Sequence, residues 1–444
     1  MSLEIRKRIA WRRDSNTRSR QNDLIIPPKS GELFFYTLSL RTTNTLPDMQ
    51  SLRSNRIQSI DILRGIVMII MPLDHTRDFF HFPVINFQNY DPLNPETTSL
   101  AIYLTRWITH FCAPTFVLLS GVSAYLSSRN KTPGEAGAFL IKRGLWLVVV
   151  EIVIVSLGIT FNPGYNFIIL QVIWAIGTSM IILGLLRRLP YNILLIIGIL
   201  LFFGHDLIWY LLPENPRSAN QWLKFFLTAN GNVVHVGNNH FVGDFYAILP
   251  WTGVMIMGFC LGRWFDKDYP AAKRKRQLLL TGASLTVLFF VLRLANSYGD
   301  PAPWRPMDTP LKTFFSFFFV SKYPPSLMYL GATLGPSLLA LALLEYAKGK
   351  WVQVVSVYGR VPFFYYILHF YLLHTVLAIV FFATHHNSSQ ISTGSPILFQ
   401  PSGFGYGLVV VYIIWMAAIA LLYWPSRWFS RYKMTHRQWW LSYI

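Results

Sequence analysis

Charged and titratable side chains are concentrated near the end of one apolar stretch. Residues 59–80, with the sequence SIDILRGIVMIIMPLDHTRDFF, contain Asp74, His75, Arg77 and Asp78 within five positions. A histidine titrates near neutral pH, and a neighbouring carboxylate can fix its tautomer, which is what a general base requires. We therefore predict that His75, oriented by Asp74 or Asp78, is a catalytic base.

A second apolar stretch brings further polar groups to the same depth. Arg106 and His110 are four residues apart, so they share one face of a helix. The short connection to the first stretch makes the two helices neighbours, which places both side chains near His75. We predict His110 as a further catalytic residue, and Arg77 and Arg106 as residues that position substrate.

Titratable groups also follow one another along a late apolar stretch. Arg360 lies at its start, and His369 and His374 lie further along. We predict that the two histidines contact substrate. Arg64 and Arg360 lie near the opposite end from His75, and a guanidinium binds phosphate through two parallel hydrogen bonds. We predict that these two arginines bind the phosphates of a bulky acidic donor.

Each of these groups also has a purely structural explanation. Asp61 and Arg64 are three residues apart and could form an ion pair at the start of the helix. Arg106 and His110 could cap the bundle, and His369 and His374 could be satisfied core histidines. The same alternative applies to Glu151 as a buried hydrogen-bonded acid and to His205 with Asp206 as interfacial groups.

The elements that carry these residues are predicted to be membrane-spanning helices. Hydrophobic residues make up 53% of the 444 residues and charged residues only 13%, about half the share in soluble domains. A helix of about 20 apolar residues crosses a bilayer. The Phe-rich stretch 311–320 is too short and is expected at the interface or as a re-entrant segment. We predict an all-α polytopic bundle of about ten helices, near residues 58–80, 100–127, 144–161, 167–186, 191–212, 246–265, 277–297, 327–346, 357–383 and 406–424.

Charge distribution predicts the orientation of the bundle. If the ten helices alternate in direction, 29 Lys and Arg residues fall on one side and 5 on the other. Because cytoplasmic loops carry the excess of positive charge, both termini are predicted to be cytoplasmic. This distribution also explains the net charge of +19 without a nucleic-acid partner.

Three parts of the chain are predicted from this pattern. Residues 1–56 form a basic cytoplasmic tail, 57–426 the transmembrane domain, and 427–444 a basic C-terminal tail. Met49 is an alternative start. No compact spacing of His, Cys, Asp or Glu indicates a metal site.

Three sequence motifs resemble a known family. They are SIDILRG at residues 59–65, APTFVLLSG at 113–121 and KYPPSL at 322–327. Over residues 54–424 the chain resembles the heparan-alpha-glucosaminide N-acetyltransferase catalytic domain family, including bacterial members whose function is not assigned. The separation of Arg64 and His75 is similar to the arginine and histidine motif of the wider membrane acyltransferase superfamily.

This resemblance implies a function. It implies a membrane acyltransferase that takes acetyl-CoA or another acyl-CoA from the cytoplasm and modifies a sugar on the far side of a bacterial inner membrane. Membrane lipids, acyl-CoA and the sugar acceptor are the expected partners, and a homo-oligomer is compatible with the sequence. The alternatives are a transporter or flippase for a lipid-linked sugar or small anion, and a degenerate family member acting as an assembly partner.

Overall fold

The computed structural model describes residues 57–87, 90–207, 222, 224–229, 232–237, 239–392 and 395–443. The predicted basic tail, residues 1–56, lies outside the described residues. In the first half of the chain the helices are α1 (Gln58–Phe80), α2 (Phe82–Asn86), α3 (Leu100–Thr109), α4 (Cys112–Ser128), α5 (Pro133–Val150), α6 (Ser156–Thr160), α7 (Val172–Leu186) and α8 (Tyr191–Gly204). In the second half they are α9 (Ile248–Leu261), α10 (Ala271–Ala295), α11 (Pro310–Phe318), α12 (Leu327–Leu343), α13 (Lys350–Arg360), α14 (Pro362–Ala383) and α15 (Leu408–Thr435).

Helix dominates the described part of the chain, as predicted. Within it, six helical segments are long and apolar enough to cross a membrane, and two shorter apolar helices accompany them. The six are Leu100–Ser128, Ile248–Phe265, Ala271–Ala295, Leu327–Tyr346, Pro362–Ala383 and Leu408–Thr435, and the shorter two are Val172–Leu186 and Tyr191–Leu207. The count of ten spans and the side of each terminus remain predictions.

Several helix boundaries differ from the predicted ones. The stretch 100–127 is divided into α3 and α4 near His110, and the stretch 357–383 is divided at Val361. α15 continues to Thr435, nine residues beyond the predicted end of the transmembrane domain. Apolarity alone does not mark such divisions, because a turn between two buried helices is as apolar as the helices themselves.

A small three-stranded sheet was not predicted. Strands β1 (Phe167–Leu170), β2 (Asn232–His235) and β3 (Phe241–Asp244) lie in the order β1-β3-β2. β1 runs parallel to β3, whereas β2 runs antiparallel to it. The predicted spanning helix at 167–186 includes residues 167–170, so the prediction was wrong for these four residues. An apolar run of four residues next to a helix carries no periodicity that separates strand from helix.

The last residue of β3 should give this protein a measurable pH dependence. Asp244 is fully buried, and only one of its carboxyl oxygens accepts a hydrogen bond in the described part of the chain, from the backbone N–H of Tyr246 at 3.1 Å. Burial raises the pKa of Asp244 from 3.8 to about 7, and the hydrogen bond from Tyr246 opposes this only in part. Because the folded protein then holds the proton more tightly than the unfolded chain, stability should fall as the pH rises from about 4 to about 7.

Asp244→Asn should therefore flatten the pH dependence and raise the apparent Tm above neutral pH. The measurement is thermal unfolding in detergent at about pH 5 and about pH 8. Asp308→Asn is the matched control, because the Asp308 side chain is 85% exposed. If the apparent Tm of Asp244→Asn depends on pH as steeply as that of the wild type, another group causes the pH dependence.

Close contact between α1 and α13 brings two arginines together at one end of the bundle. A Cβ atom on Gly359 would lie 1.9 Å from the carbonyl oxygen of Asp61, and one on Gly65 would lie 2.1 Å from that of Val355. Small residues of this kind let helix backbones approach in membrane proteins. Arg360, the residue after Gly359, is thereby held beside the first half of α1.

Buried polar groups fix the KYPPSL segment, residues 322–327, to the opposite end of the bundle. His205 Nε2 donates to a backbone carbonyl of the segment at 2.7 Å, and Asp206 accepts from one of its backbone N–H groups at 2.6 Å. Asp300 accepts from the Ser326 hydroxyl at 2.6 Å. His205 and Asp206 thus have a structural role, and the segment is held rigidly where it reaches the site described next.

Candidate active site

A cavity of about 100 Å³ opens around the end of α1, and we call it the His75 cavity. Residues from α1, α3, α4, α7, α14 and three connecting segments line it. They are Met71, Asp74, His75, Arg77, Asp78, Arg106, Thr109, Cys112, Ala113, Phe116, Gln171, Val172, Tyr246, Lys322, Tyr323 and Tyr366. The predicted convergence of α1 and α3 is therefore present.

Asp74 is the centre of the charge network in this cavity. Its carboxylate lies 2.8 Å from Arg77 Nη2, is hydrogen-bonded by Arg106, and lies 3.9 Å from Lys322 Nζ. The Asp74 side chain is only 13% exposed, so these charges interact with little screening by water. Asp74 is thus engaged by three cations, and its role in orienting His75 stays a prediction.

His75 has a different carboxylate partner and an aromatic back wall. Its Nδ1 lies 3.7 Å from an oxygen of Asp78, three residues along the same helix. The ring packs against Phe370, at 4.5 Å between centroids, and against His369, at 5.1 Å. The side chain is 14% exposed and faces the cavity. An imidazole held in this way has one nitrogen directed to a carboxylate and room for a substrate beside it.

A second cavity, of about 170 Å³, lies toward the other end of α1, and we call it the Arg64 cavity. Four cationic residues line it together with polar, aromatic and aliphatic side chains. The lining residues are Arg64, Phe116, Ser120, Ser123, Arg143, Leu147, Val172, Ile173, Ile176, Met180, Arg360, Pro362, Phe363, Tyr366, Lys433 and Tyr443. The cavity therefore combines several positive charges with an apolar wall.

Arg64 is held in place by its own hydrogen bonds. Its guanidinium donates to the Gly359 carbonyl at 3.1 Å and to the Ser123 hydroxyl at 2.9 Å. Asp61 lies 3.6 Å away, so the ion pair considered as the structural alternative is present. Arg64 nevertheless lines the cavity, and its structural contacts fix the direction of its positive charge.

The two cavities meet at a shared wall. Phe116, Val172 and Tyr366 line both of them. Next to this wall, the backbone N–H of Gln171 donates to the buried carboxyl of Glu151 at 2.7 Å, which agrees with Glu151 as a hydrogen-bonded buried acid. The side chains of Phe116, Val172 and Tyr366 thus separate the His75 cavity from the Arg64 cavity.

Three predicted site residues line neither cavity. His110 is 1% exposed and its ring contacts the rings of Trp107 and Tyr329. His369 is fully buried behind His75. His374 stacks on an aromatic ring, and its two nitrogens lie 3.3 and 3.2 Å from backbone carbonyls. The structure thus brings Asp74, His75, Arg77, Asp78 and Arg106 together without these histidines, whose direct roles stay predictions.

Several lining residues were missed by the sequence analysis. Lys322 belongs to the KYPPSL motif, but nothing in the sequence indicates that it contacts Asp74. The sequence identifies Arg143 and Lys433 only as charges on the predicted cytoplasmic side. Tyr246 and Gln171 had no signal, because a single polar residue next to an apolar run is common. Among the described residues, no group of three or more His, Cys, Asp or Glu is placed to hold a metal ion.

Apolar helices that enclose a charged cavity define this protein as a helical integral membrane protein with a site between its helices. The family model described as "Heparan-alpha-glucosaminide N-acetyltransferase, catalytic" matches residues 56–295, more than half of the 444 residues. The chain belongs to this family, which confirms the resemblance and indicates acetyltransferase chemistry. The match ends before Lys322 and His369. No curated protein matches the chain.

Proposed function

We propose that this protein is a transmembrane acyltransferase. It transfers an acyl group, which we propose is acetyl, from acyl-CoA bound in the Arg64 cavity. The acceptor is a hydroxyl or amine of a sugar bound in the His75 cavity. The observation that carries this proposal is the shared wall of Phe116, Val172 and Tyr366. A donor and an acceptor approaching from opposite ends of the bundle would meet there.

The Arg64 cavity suits the donor. Acyl-CoA has phosphates at one end and its thioester at the end of a long, flexible arm. The charges of Arg143, Arg360 and Lys433 match the phosphates, and the apolar residues of α7 suit the arm. About 11 residues of helix separate Arg64 from His75, or about 16 Å at 1.5 Å per residue. The donor must therefore reach across about half of the bilayer.

The His75 cavity suits the chemical step. His75 takes the proton of the acceptor hydroxyl or amine as that group attacks the thioester carbonyl carbon. The negative charge that develops on the carbonyl oxygen is stabilised by the cations Arg106 and Lys322. The tetrahedral intermediate collapses, the carbon–sulfur bond breaks, and the CoA thiolate leaves with a proton returned from His75. Asp78 stabilises the charged imidazole.

The proposed arrangement in the membrane follows the positive charges. If the spans alternate as predicted, the Arg64 cavity belongs to the side to which the sequence assigns 29 of the Lys and Arg residues, which favours a cytoplasmic donor site. The acceptor is then extracytoplasmic, the ten spans place both termini in the cytoplasm, and the membrane is a bacterial inner membrane.

The direct test is transfer from labelled acetyl-CoA to a panel of glycans by purified, folded protein. We expect label to appear in a glycan only when both substrates are present. Two cavities that meet also suit a carrier, so the same protein is tested in vesicles for counterflow of labelled sugar without acyl-CoA. If the protein shows counterflow and transfers no label to any glycan of the panel, it is a carrier and not an acyltransferase.

Arg143→Gln should weaken donor binding. Arg143 lines the Arg64 cavity, and no carboxylate lies within 4.0 Å of its guanidinium among the described residues. Loss of one charged hydrogen bond to phosphate should raise the KM for acyl-CoA about 10- to 100-fold with little change in kcat. Steady-state kinetics measures both constants. The matched control is Lys142→Gln, which removes the same charge from the exposed neighbouring residue. Equal effects of the two variants would contradict a phosphate contact.

A further inference from the structure

A third cavity, outside the proposed active site, lies between α4, α8 and α9. It has a volume of about 200 Å³ and is lined by Tyr125, Arg187, Tyr191, Leu194, Phe259 and Arg263. We call it the Arg187 crevice. Two arginines among three aromatic rings make it a second positively charged site of the described chain.

The crevice lies at the same end of the bundle as the Arg64 cavity but on the other side of α4. Ser123, which hydrogen-bonds Arg64, and Tyr125 are two residues apart on this helix. Two residues correspond to about 200° of rotation about the helix axis, so their side chains point in nearly opposite directions. A ligand in the crevice would not occupy the proposed donor site.

The two guanidinium groups are held by aromatic faces. The Arg187 guanidinium lies 5.3 Å from the centroid of the Phe259 ring, and that of Arg263 lies 4.7 Å from the Tyr191 ring. Stacking of this kind orients the plane of a guanidinium and leaves its N–H edge available to an anion. The arginines are thus pre-oriented without being neutralised by the rings.

Neither arginine has a carboxylate partner within 4.0 Å in the described ranges. The nearby acid, Asp266, accepts a hydrogen bond from the Tyr125 hydroxyl at 2.7 Å. The Nε atom of Arg187 is buried and has no hydrogen-bond partner among the described residues. Two cations and an unused buried donor point to an anion with several oxygens, such as a phosphate group.

The surroundings of the crevice favour a phosphate that belongs to a lipid. Leu194 lines the crevice and is 1% exposed, whereas the outer face of the same helix, α8, carries exposed aliphatic residues. Ile193, Ile196 and Leu200 are 44%, 56% and 65% exposed. In a bilayer this surface faces acyl chains, and basic pockets between helices on the cytoplasmic side bind lipid headgroups.

We propose that the Arg187 crevice binds the phosphate of an anionic phospholipid in the cytoplasmic leaflet, whose acyl chains lie along α8. The site is separate from the proposed active site, and its occupancy stabilises the packing of α8 and α9 on α4. The same phosphate chemistry would also attract a soluble phosphate, which the experiment distinguishes.

The test adds phosphatidylglycerol to the purified full-length protein in detergent. Bound lipid is counted by native mass spectrometry, and the apparent Tm is followed in parallel. We expect phosphatidylglycerol to bind and to raise the Tm more than phosphatidylcholine does. In the Arg187→Gln, Arg263→Gln double variant its affinity should fall by about tenfold or more. The control is Arg188→Gln, which removes an equal charge from the exposed neighbour.

Separate samples receive inorganic phosphate or acetyl-CoA at the same phosphate concentration. Inorganic phosphate could raise the Tm as much as phosphatidylglycerol does, and this increase could be absent in the double variant. That result would show that the ligand is a soluble phosphate and would overturn the proposal of a lipid. Equal loss of phosphatidylglycerol binding in Arg188→Gln would show a general charge effect and overturn the site. If the double variant does not fold, each single variant is measured instead. Equal binding of the two lipids to the wild type overturns the proposal without any variant.

Discussion

His75→Ala should lower acyl transfer by about 100- to 10,000-fold, the usual contribution of a positioned general base. The side chain faces its cavity and has Asp78 at 3.7 Å, so its loss removes both the proton acceptor and the group through which the carboxylate acts. Since acceptor binding depends on other residues, kcat should fall far more than the KM for either substrate changes. Steady-state transfer from labelled acetyl-CoA measures these constants.

The control for this variant is His385→Ala, because His385 is an exposed histidine outside both cavities. Gel filtration and thermal unfolding establish that each variant is folded before its rate is compared. His75→Gln adds a second comparison, since the amide retains a polar side chain but cannot take the proton. Wild-type rates in folded His75→Ala would remove this residue from the mechanism.

Asp74→Asn should cause the largest loss of stability of any single charge change in the His75 cavity. The Asp74 carboxylate faces Arg77, Arg106 and Lys322. Removing its charge leaves three cations near one another with little water, and breaking a buried ion pair in this way costs about 3 to 5 kcal/mol. We expect a marked fall in apparent Tm together with loss of transfer.

Asp78→Asn is the matched control for stability, because the Asp78 side chain is 40% exposed and the change is the same. Its apparent Tm should remain near that of the wild type. Adding Arg106→Gln to Asp74→Asn removes one of the uncompensated cations, so the double variant should lose less stability than the sum of the two single variants. Strictly additive losses would show that Asp74 and Arg106 do not stabilise each other.

The sequence predicts the part of the site that local geometry determines. Four of these residues are close in sequence: Asp74, His75, Arg77 and Asp78. Arg106 lies beside them because α3 begins on the side of the bundle where α1 ends. For these residues, helix rise and a short connection are sufficient. Neither argument needs knowledge of how the rest of the bundle packs.

The sequence cannot predict contacts that depend on packing between distant segments. Lys322 reaches Asp74 only because the KYPPSL segment is fixed by buried groups from distant segments of the chain. The same limit applies to His369, since helical periodicity places it on a face of α14 but does not say which neighbour that face contacts. It lies behind His75 and outside the cavity.

The wall of Phe116, Val172 and Tyr366 has an electrical consequence. Where water or ions fill a cavity on each side of a thin partition, the transmembrane voltage falls mainly across that partition. An elementary charge carried through it would gain or lose about 2.3 kcal/mol per 100 mV. In the proposed reaction a neutral acetyl group would pass this field without such work, with the donor phosphates on one side and the imidazole on the other. Turnover should then be insensitive to membrane potential, and a partition made of these three side chains would limit the leakage of ions between the two cavities.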